Sequence, residues 1–94
     1  MQHNFQSYVA EIEKTHSVIE PHIQNTPLLN SKELDTKLGM QVFCKAENLQ
    51  VTGSFKIRGA LSAISRLTDE QLKKGVLAYS SGNHAQGVAK AAHC

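Results

Sequence analysis

Two short stretches of this sequence bring together residue types that can do chemistry. The first is Thr52-Gly-Ser-Phe-Lys-Ile-Arg-Gly-Ala60. Ser54 reads as the cap of a helix over 55–67, which makes Lys56 its second residue. A helix N-terminus carries partial positive charge, so that position favours an uncharged amine. An uncharged amine is the species that attacks a carbonyl carbon to form a Schiff base. Gly59, one turn further on, gives up about 1 kcal/mol of helix propensity relative to alanine. That cost points to close approach by another backbone or a flat ligand. Taken alone, the spacing favours a plainer reading, a solvated lysine on an ordinary helix.

The second stretch is Ser80-Ser-Gly-Asn-His-Ala-Gln-Gly87, set between an apolar run at 76–79 and an alanine-rich segment. A tight polar turn entering a helix presents several backbone N–H groups in one direction, and the helix dipole adds positive potential. The product is an anion site fit for a carboxylate or a phosphate. Gly82 allows close approach of the backbone and Asn83 offers an amide donor. An ordinary turn with an N-cap is the plainer alternative here too. His84 by itself reads as a structural residue.

Most other function classes find no support. The chain has 94 residues, a net charge of +2, 40% apolar and 19% charged residues, which describes a globular sequence of one domain or less. Basic residues are scattered and aromatics few, unlike a nucleic-acid-binding stripe. Cys44 and Cys94 form no disulfide framework, and the five histidines lack metal-ligand spacing, so no metal site is expected. No apolar run is long enough for a membrane span. The start, Met1-Gln-His-Asn-Phe-Gln-Ser, lacks the basic and apolar regions of a signal peptide, so the cytoplasm is the expected location. There is no Gly-x-Gly-x-x-Gly run, Walker loop or Gly-x-Ser-x-Gly elbow.

The elements that must hold the two stretches can be read from periodicity. Phe5, Tyr8, Val9, Ile12 and Ile19 recur at helical steps between Asn4 as cap and Pro21 as stop. Thr26-Pro-Leu-Leu29 is extended, because the residue before proline is pushed out of the α region. Ser31 caps a short helix ended by Gly39. Residues 41–47 alternate as a half-buried strand with Val42, Cys44 and Ala46 on one face. Ile57, Ala60, Leu61, Ile64 and Leu67 form the buried face of the Lys56 helix. Thr68-Asp-Glu-Gln71 fits a capping box, opening a short helix ended by Gly75. Residues 76–79 read as a brief strand and 85–94 as a helix. That closing strand, turn and helix make half of a β-α-β unit, so the chain is expected to end inside a domain. A small α+β domain with a frayed last helix is the alternative.

In this order and spacing, Thr26-Pro-Leu-Leu29, Lys45-Ala-Glu-Asn-Leu-Gln50, Gly53-Ser-Phe-Lys-Ile-Arg-Gly-Ala60 and Ser81-Gly-Asn-His-Ala-Gln-Gly87 resemble the fold type II pyridoxal-phosphate enzymes. The nearest likeness is to the L-threonine/L-serine dehydratases (ammonia-lyases) and the related serine racemases. The resemblance reverses the plainer readings of both stretches. It implies an α/β fold, the N-terminal part of a two-domain, tryptophan synthase β-like enzyme. Residues 1–74 would belong to the larger domain and 75–94 would open the smaller one. Pyridoxal 5'-phosphate is the implied cofactor, held by Lys56, with Phe55 beside its ring and Asn83 donating to its ring hydroxyl oxygen. Lys56 would then serve as base on the substrate Cα–H. Ser80, Ser81, Gly82, Asn83 and His84 would hold the substrate carboxylate.

The implied reaction turns L-threonine or L-serine into a 2-oxo acid and ammonia. Serine directly before Gly-Asn-His is typical of the racemases and alanine of the dehydratases, so Ser81, as a second acid/base, keeps racemisation open as the alternative. Ala85-Gln-Gly87 leans back toward the dehydratases. The implied partners are a small amino-acid substrate and further copies of the full-length chain, with no nucleic acid or membrane. Family members run several times longer and carry a glycine-rich phosphate loop that these 94 residues lack. The chain alone is therefore expected to be inactive, either as the N-terminal fragment of such an enzyme or as a truncated, non-catalytic remnant.

Overall fold

A computed structural model describes residues 4–94. The first helix, α1 (Phe5–Ile19), starts where expected, with the Ser7 N–H donating to Asn4 Oδ1 at 2.8 Å. A single 3₁₀ turn, Glu20–His22, follows, with Pro21 in its opening positions. The short strand β1 (Leu28–Asn30) leads into α2 (Lys32–Leu38), capped by Ser31 and ended by Gly39 at φ 67°. Glycine is needed there because the left-handed region penalises a Cβ. The second strand, β2 (Phe43–Lys45), returns antiparallel to β1, pairing Leu28 with Lys45 and Asn30 with Phe43. The Asp35 carboxylate closes this unit by accepting from Asn30 Nδ2 and the Val42 N–H, each at 2.8 Å.

Three more helices complete the described chain: α3 (Lys56–Ser65), α4 (Asp69–Lys73) and α5 (Asn83–His93). The capping box at α4 forms as the sequence predicts, with reciprocal Thr68 and Gln71 bonds. Ile19, Ile57, Ala60, Leu61 and Ala91 make the core, flanked by Ile23, Ile64 and Val88. Helix α3 supplies most of it, and the small residues Ala60, Gly87 and Ala91 allow α5 to pack closely on α3.

Four expectations need correction. The apolar stripe of α1 is fully buried only at Ile19, where the helix joins the core, and Phe5 is 82% exposed. The strand at 41–47 shrinks to three residues, and Cys44 is exposed, since among the described residues no layer buries either face of the two-stranded ribbon. The Lys56 helix is shorter at both ends, with Phe55 as its cap, so Lys56 is its first residue. Residues 76–79 are not a strand. Leu77 and Tyr79 are fully exposed there, and a strand exists only when a neighbour takes up its backbone groups. Among the described residues the only sheet is β1–β2.

Candidate active site

Lys56 stands at the head of α3, exposed, with its Nζ 5.1 Å from the centroid of the Phe55 ring. Ser54 still contributes, its hydroxyl accepting from the Lys56 N–H at 3.4 Å. The backbone before it is unusual. Thr52 adopts φ 68°, a left-handed conformation that a β-branched side chain rarely tolerates. Its Oγ1 is buried and, among the described residues, has no hydrogen-bond partner. Backbone strain and an orphaned hydroxyl thus fall four residues before Lys56, in the loop that leads into α3.

The second stretch forms the entry to α5. Ser80 folds its hydroxyl into the turn, accepting from the Gly82 N–H at 3.2 Å and the Ala85 N–H at 2.9 Å. Gly82 is the N-cap of α5 and has no side-chain cap bond. Asn83 and His84 are the first two residues of the helix, both exposed, and Ser81 beside them is exposed as well. Among the described residues no acceptor meets the Asn83 and His84 backbone N–H groups, so these remain available to an anion.

What joins the two stretches is Gly87, one turn into α5. A Cβ built there would lie 3.2 Å from the Lys56 carbonyl carbon, 3.2 Å from the Ile57 nitrogen and 3.3 Å from the Lys56 oxygen. The heads of α3 and α5 therefore meet backbone to backbone, and the loop before Lys56 also lies against α5. The close approach expected at Gly59 is found at Gly87 instead. A Cβ at Gly59 would meet nothing within 4 Å. Gly59 lines an open cleft of about 390 Å³ between α1 and α3, which does not include Lys56.

A polar cluster that the sequence reading did not recognise as such is built on the same helix as Lys56. Arg58, two residues after Lys56, places its Nε on Glu47 Oε1 and its Nη2 3.3 Å from Glu47 Oε2. Glu47 Oε2 also accepts from Thr26 Oγ1 at 2.7 Å and Gln50 Nε2 at 3.3 Å. Gln50 in turn binds the Gln24 N–H at 2.7 Å, the Gln24 carbonyl at 2.9 Å and the Val51 N–H at 2.9 Å. Lys45 Nζ reaches the Thr26 carbonyl at 2.6 Å. Thr26 and Gln50 are both only 4% exposed. Thr26, Lys45, Glu47, Gln50 and Arg58 all fall within the family-like motifs, but their mutual contact was signalled only by a charged Arg58 between Ile57 and Ala60 of the apolar face, a position that calls for a polar partner.

The Arg58 hydrogen bond draws the Glu47 carboxyl down to about 2, against an opposing push from burial, with Thr26, the Arg58 charge and Gln50 assisting. A carboxyl lowered in the folded state stabilises the fold above its unfolded value near 4.5, and that contribution is lost as pH falls toward 2. Circular-dichroism melts between pH 6 and 2 should therefore show an acid loss of stability that is shallower in Glu47→Gln. An equal slope in both proteins would contradict this assignment.

Residues 19–94 match the sequence profile of a family described as pyridoxal-phosphate dependent enzymes. The chain is 57% identical over 74 residues to an L-threo-3-hydroxyaspartate ammonia-lyase of Pseudomonas sp., covering 79% of this chain and 23% of that protein. It is 51% identical over 82 residues to a catabolic L-threonine dehydratase of Staphylococcus aureus, covering 86% and 24% respectively. The structure of maize serine racemase superposes with a TM-score of 0.82 at 44% identity, over 89% of this chain and 26% of that one. The chain thus spans about a quarter of the length of the relatives it matches.

Proposed function

Because this chain belongs to the family of pyridoxal-phosphate dependent enzymes, we propose that it works in an ammonia-lyase converting L-threonine or L-serine into a 2-oxo acid and ammonia. The observation that carries this reading is the meeting of the α3 and α5 heads at Gly87, with Lys56 on one and Asn83 on the other. The residues present suit the cofactor. They offer a primary amine for its aldehyde, an aromatic ring beside that amine, an amide donor in Asn83 and an unpartnered hydroxyl in Thr52. A division near residue 75 would put the contact between these helices at the border of the larger and smaller domains. A cytoplasmic location and self-association belong to the same proposal.

Each residue then has a task. Lys56 Nζ holds the cofactor and afterwards accepts the proton from the substrate Cα. Bound pyridoxal phosphate would supply an electron sink for the charge left on that carbon. The free backbone amides of the turn and the head of α5 hold the substrate carboxylate, the helix dipole adds to their pull, and the Asn83 side chain would donate to the ring hydroxyl oxygen of the cofactor. Ser80 keeps the turn in shape through its bonds to Gly82 and Ala85. His84 offers its backbone N–H to the same carboxylate. Loss of the β-hydroxyl and hydrolysis complete the reaction.

The exposed hydroxyl of Ser81 supports a second reading, in which it returns a proton to Cα from the face opposite Lys56 and yields the D-amino acid. One variant separates the two. With L-serine and the full-length protein, Ser81→Ala should leave ammonia release near the wild-type level. If racemisation is the main activity, D-serine formation should instead dominate in the wild type and fall by about 100-fold or more in Ser81→Ala. Chiral chromatography beside an ammonia assay distinguishes them. A wild-type protein that makes neither product would overturn both readings.

A further inference from the structure

We propose, on the strength of that functional reading, that Glu47 and Arg58 are positioning residues that fix the aim of the Lys56 amine. Among the described residues, no hydrogen bond or ion pair holds the Lys56 amine, which stands 5.1 Å from the centroid of the Phe55 ring. Its direction therefore follows from how its backbone is held. One bracket is Gly87, against the Lys56 carbonyl. The other is Arg58, whose guanidinium forks onto Glu47.

Glu47 is a stiff anchor, not a mobile surface acid. It sits in the 3₁₀ turn Glu47–Leu49 just after β2, and its carboxylate is shared among Arg58, Thr26 and Gln50. Gln50 is pinned by three backbone groups and Lys45 by the Thr26 carbonyl. Such a cluster is an inefficient way to gain stability, because well-packed apolar residues of similar volume serve a fold as well or better. What it supplies is orientation. Both partners are charged and directional, so α3 has one rotational setting in which the fork closes. Misplacement of a reacting group by about 1 Å costs as much as about 100-fold in rate.

The test uses the full-length protein with wild-type sequence, Glu47→Gln, Arg58→Lys and the double variant Glu47→Leu/Arg58→Met. The double variant removes the pair without stranding a buried charge, though Thr26 and Gln50 lose an acceptor, so the folded fraction of every variant is measured by circular dichroism and both readouts are scaled to it. Two quantities are read. One is the pyridoxal phosphate concentration for half-maximal borohydride trapping on Lys56, measured by peptide mass. The other is how any loss with L-serine divides between turnover and KM. The half-trapping concentration should rise about tenfold, and turnover should slow by roughly one to two orders of magnitude while KM changes little. Folded variants with wild-type trapping and turnover would overturn the proposal, as would losses that only follow the folded fraction. Wild-type trapping with unmoved variants defeats the positioning role alone. No trapping on wild-type Lys56 defeats the functional reading and this proposal with it.

Discussion

Lys56→Ala in the full-length protein is expected to abolish ammonia release from L-serine and L-threonine, by about 10⁴-fold or more, while the fold survives. The size of the effect follows from the two tasks assigned to one amine, holding the cofactor and taking the Cα proton. Proton transfer alone is worth about 10² to 10⁴, and the covalent task adds to it. The fold survives because Lys56 is exposed and, among the described residues, no hydrogen bond or ion pair holds its amine over the Phe55 ring. An exposed cation–π contact contributes about 0.5–1 kcal/mol. Lys56→Arg should fail equally, since it keeps the charge and loses the nucleophile. The check is a borohydride-trapped peptide map beside the ammonia assay. A pyridoxyl adduct persisting in Lys56→Ala would place the reactive lysine elsewhere.

Gly87→Val should be the most damaging change outside the reactive groups. The first added carbon already meets three backbone atoms of Lys56 and Ile57 at 3.2–3.3 Å. Backbone atoms cannot swing aside as a flexible side chain does, so α5 must move off α3. Overpacking of this kind costs about 1–3 kcal/mol, and valine adds two further methyls to the clash. The movement also separates Lys56 from the α5 amides, so activity should fall further than stability alone accounts for. Gly59→Ala provides the contrast, because its Cβ meets nothing within 4 Å. Alanine there should gain up to about 1 kcal/mol of helix propensity. Thermal melts of the two variants test the opposite signs, and a destabilised Gly59→Ala beside a neutral Gly87→Val would reverse this account of the two glycines.

These two glycines also show how far the sequence can be read. Both lie in helices and both forgo packing, and composition gives no reason to prefer one. Gly59 stands out for its nearness to Lys56, yet it faces an open cleft. Gly87 closes the Ser81–Gly87 motif with no chemical group to offer, and it is the residue on which the heads of α3 and α5 meet. Which glycine faces a neighbour depends on how two helices distant in sequence are rotated against each other.

Caps and terminators are legible because they are local. Asn4, Ser31, Thr68, Gly39 and Gly75 each satisfy or release a backbone group within four residues, so the relevant physics is contained in a short window of sequence. The apolar run at 76–79 misleads for the opposite reason. A strand is completed by its neighbour, and apolar character cannot report whether that neighbour is present.

The sequence by itself determined the candidate groups for chemistry: an amine beside an aromatic ring at a helix head, and a polar turn entering a second helix. It determined their family too, because the motifs that carry the chemistry are contiguous. Only the tertiary structure decided that the two helix heads touch through Gly87, and that Arg58, on the same helix as Lys56, is tied to Glu47, Thr26 and Gln50. Arg58 lies 11 positions from Glu47, and Thr26 lies 21 from it. Contacts at that separation depend on packing that no local propensity encodes.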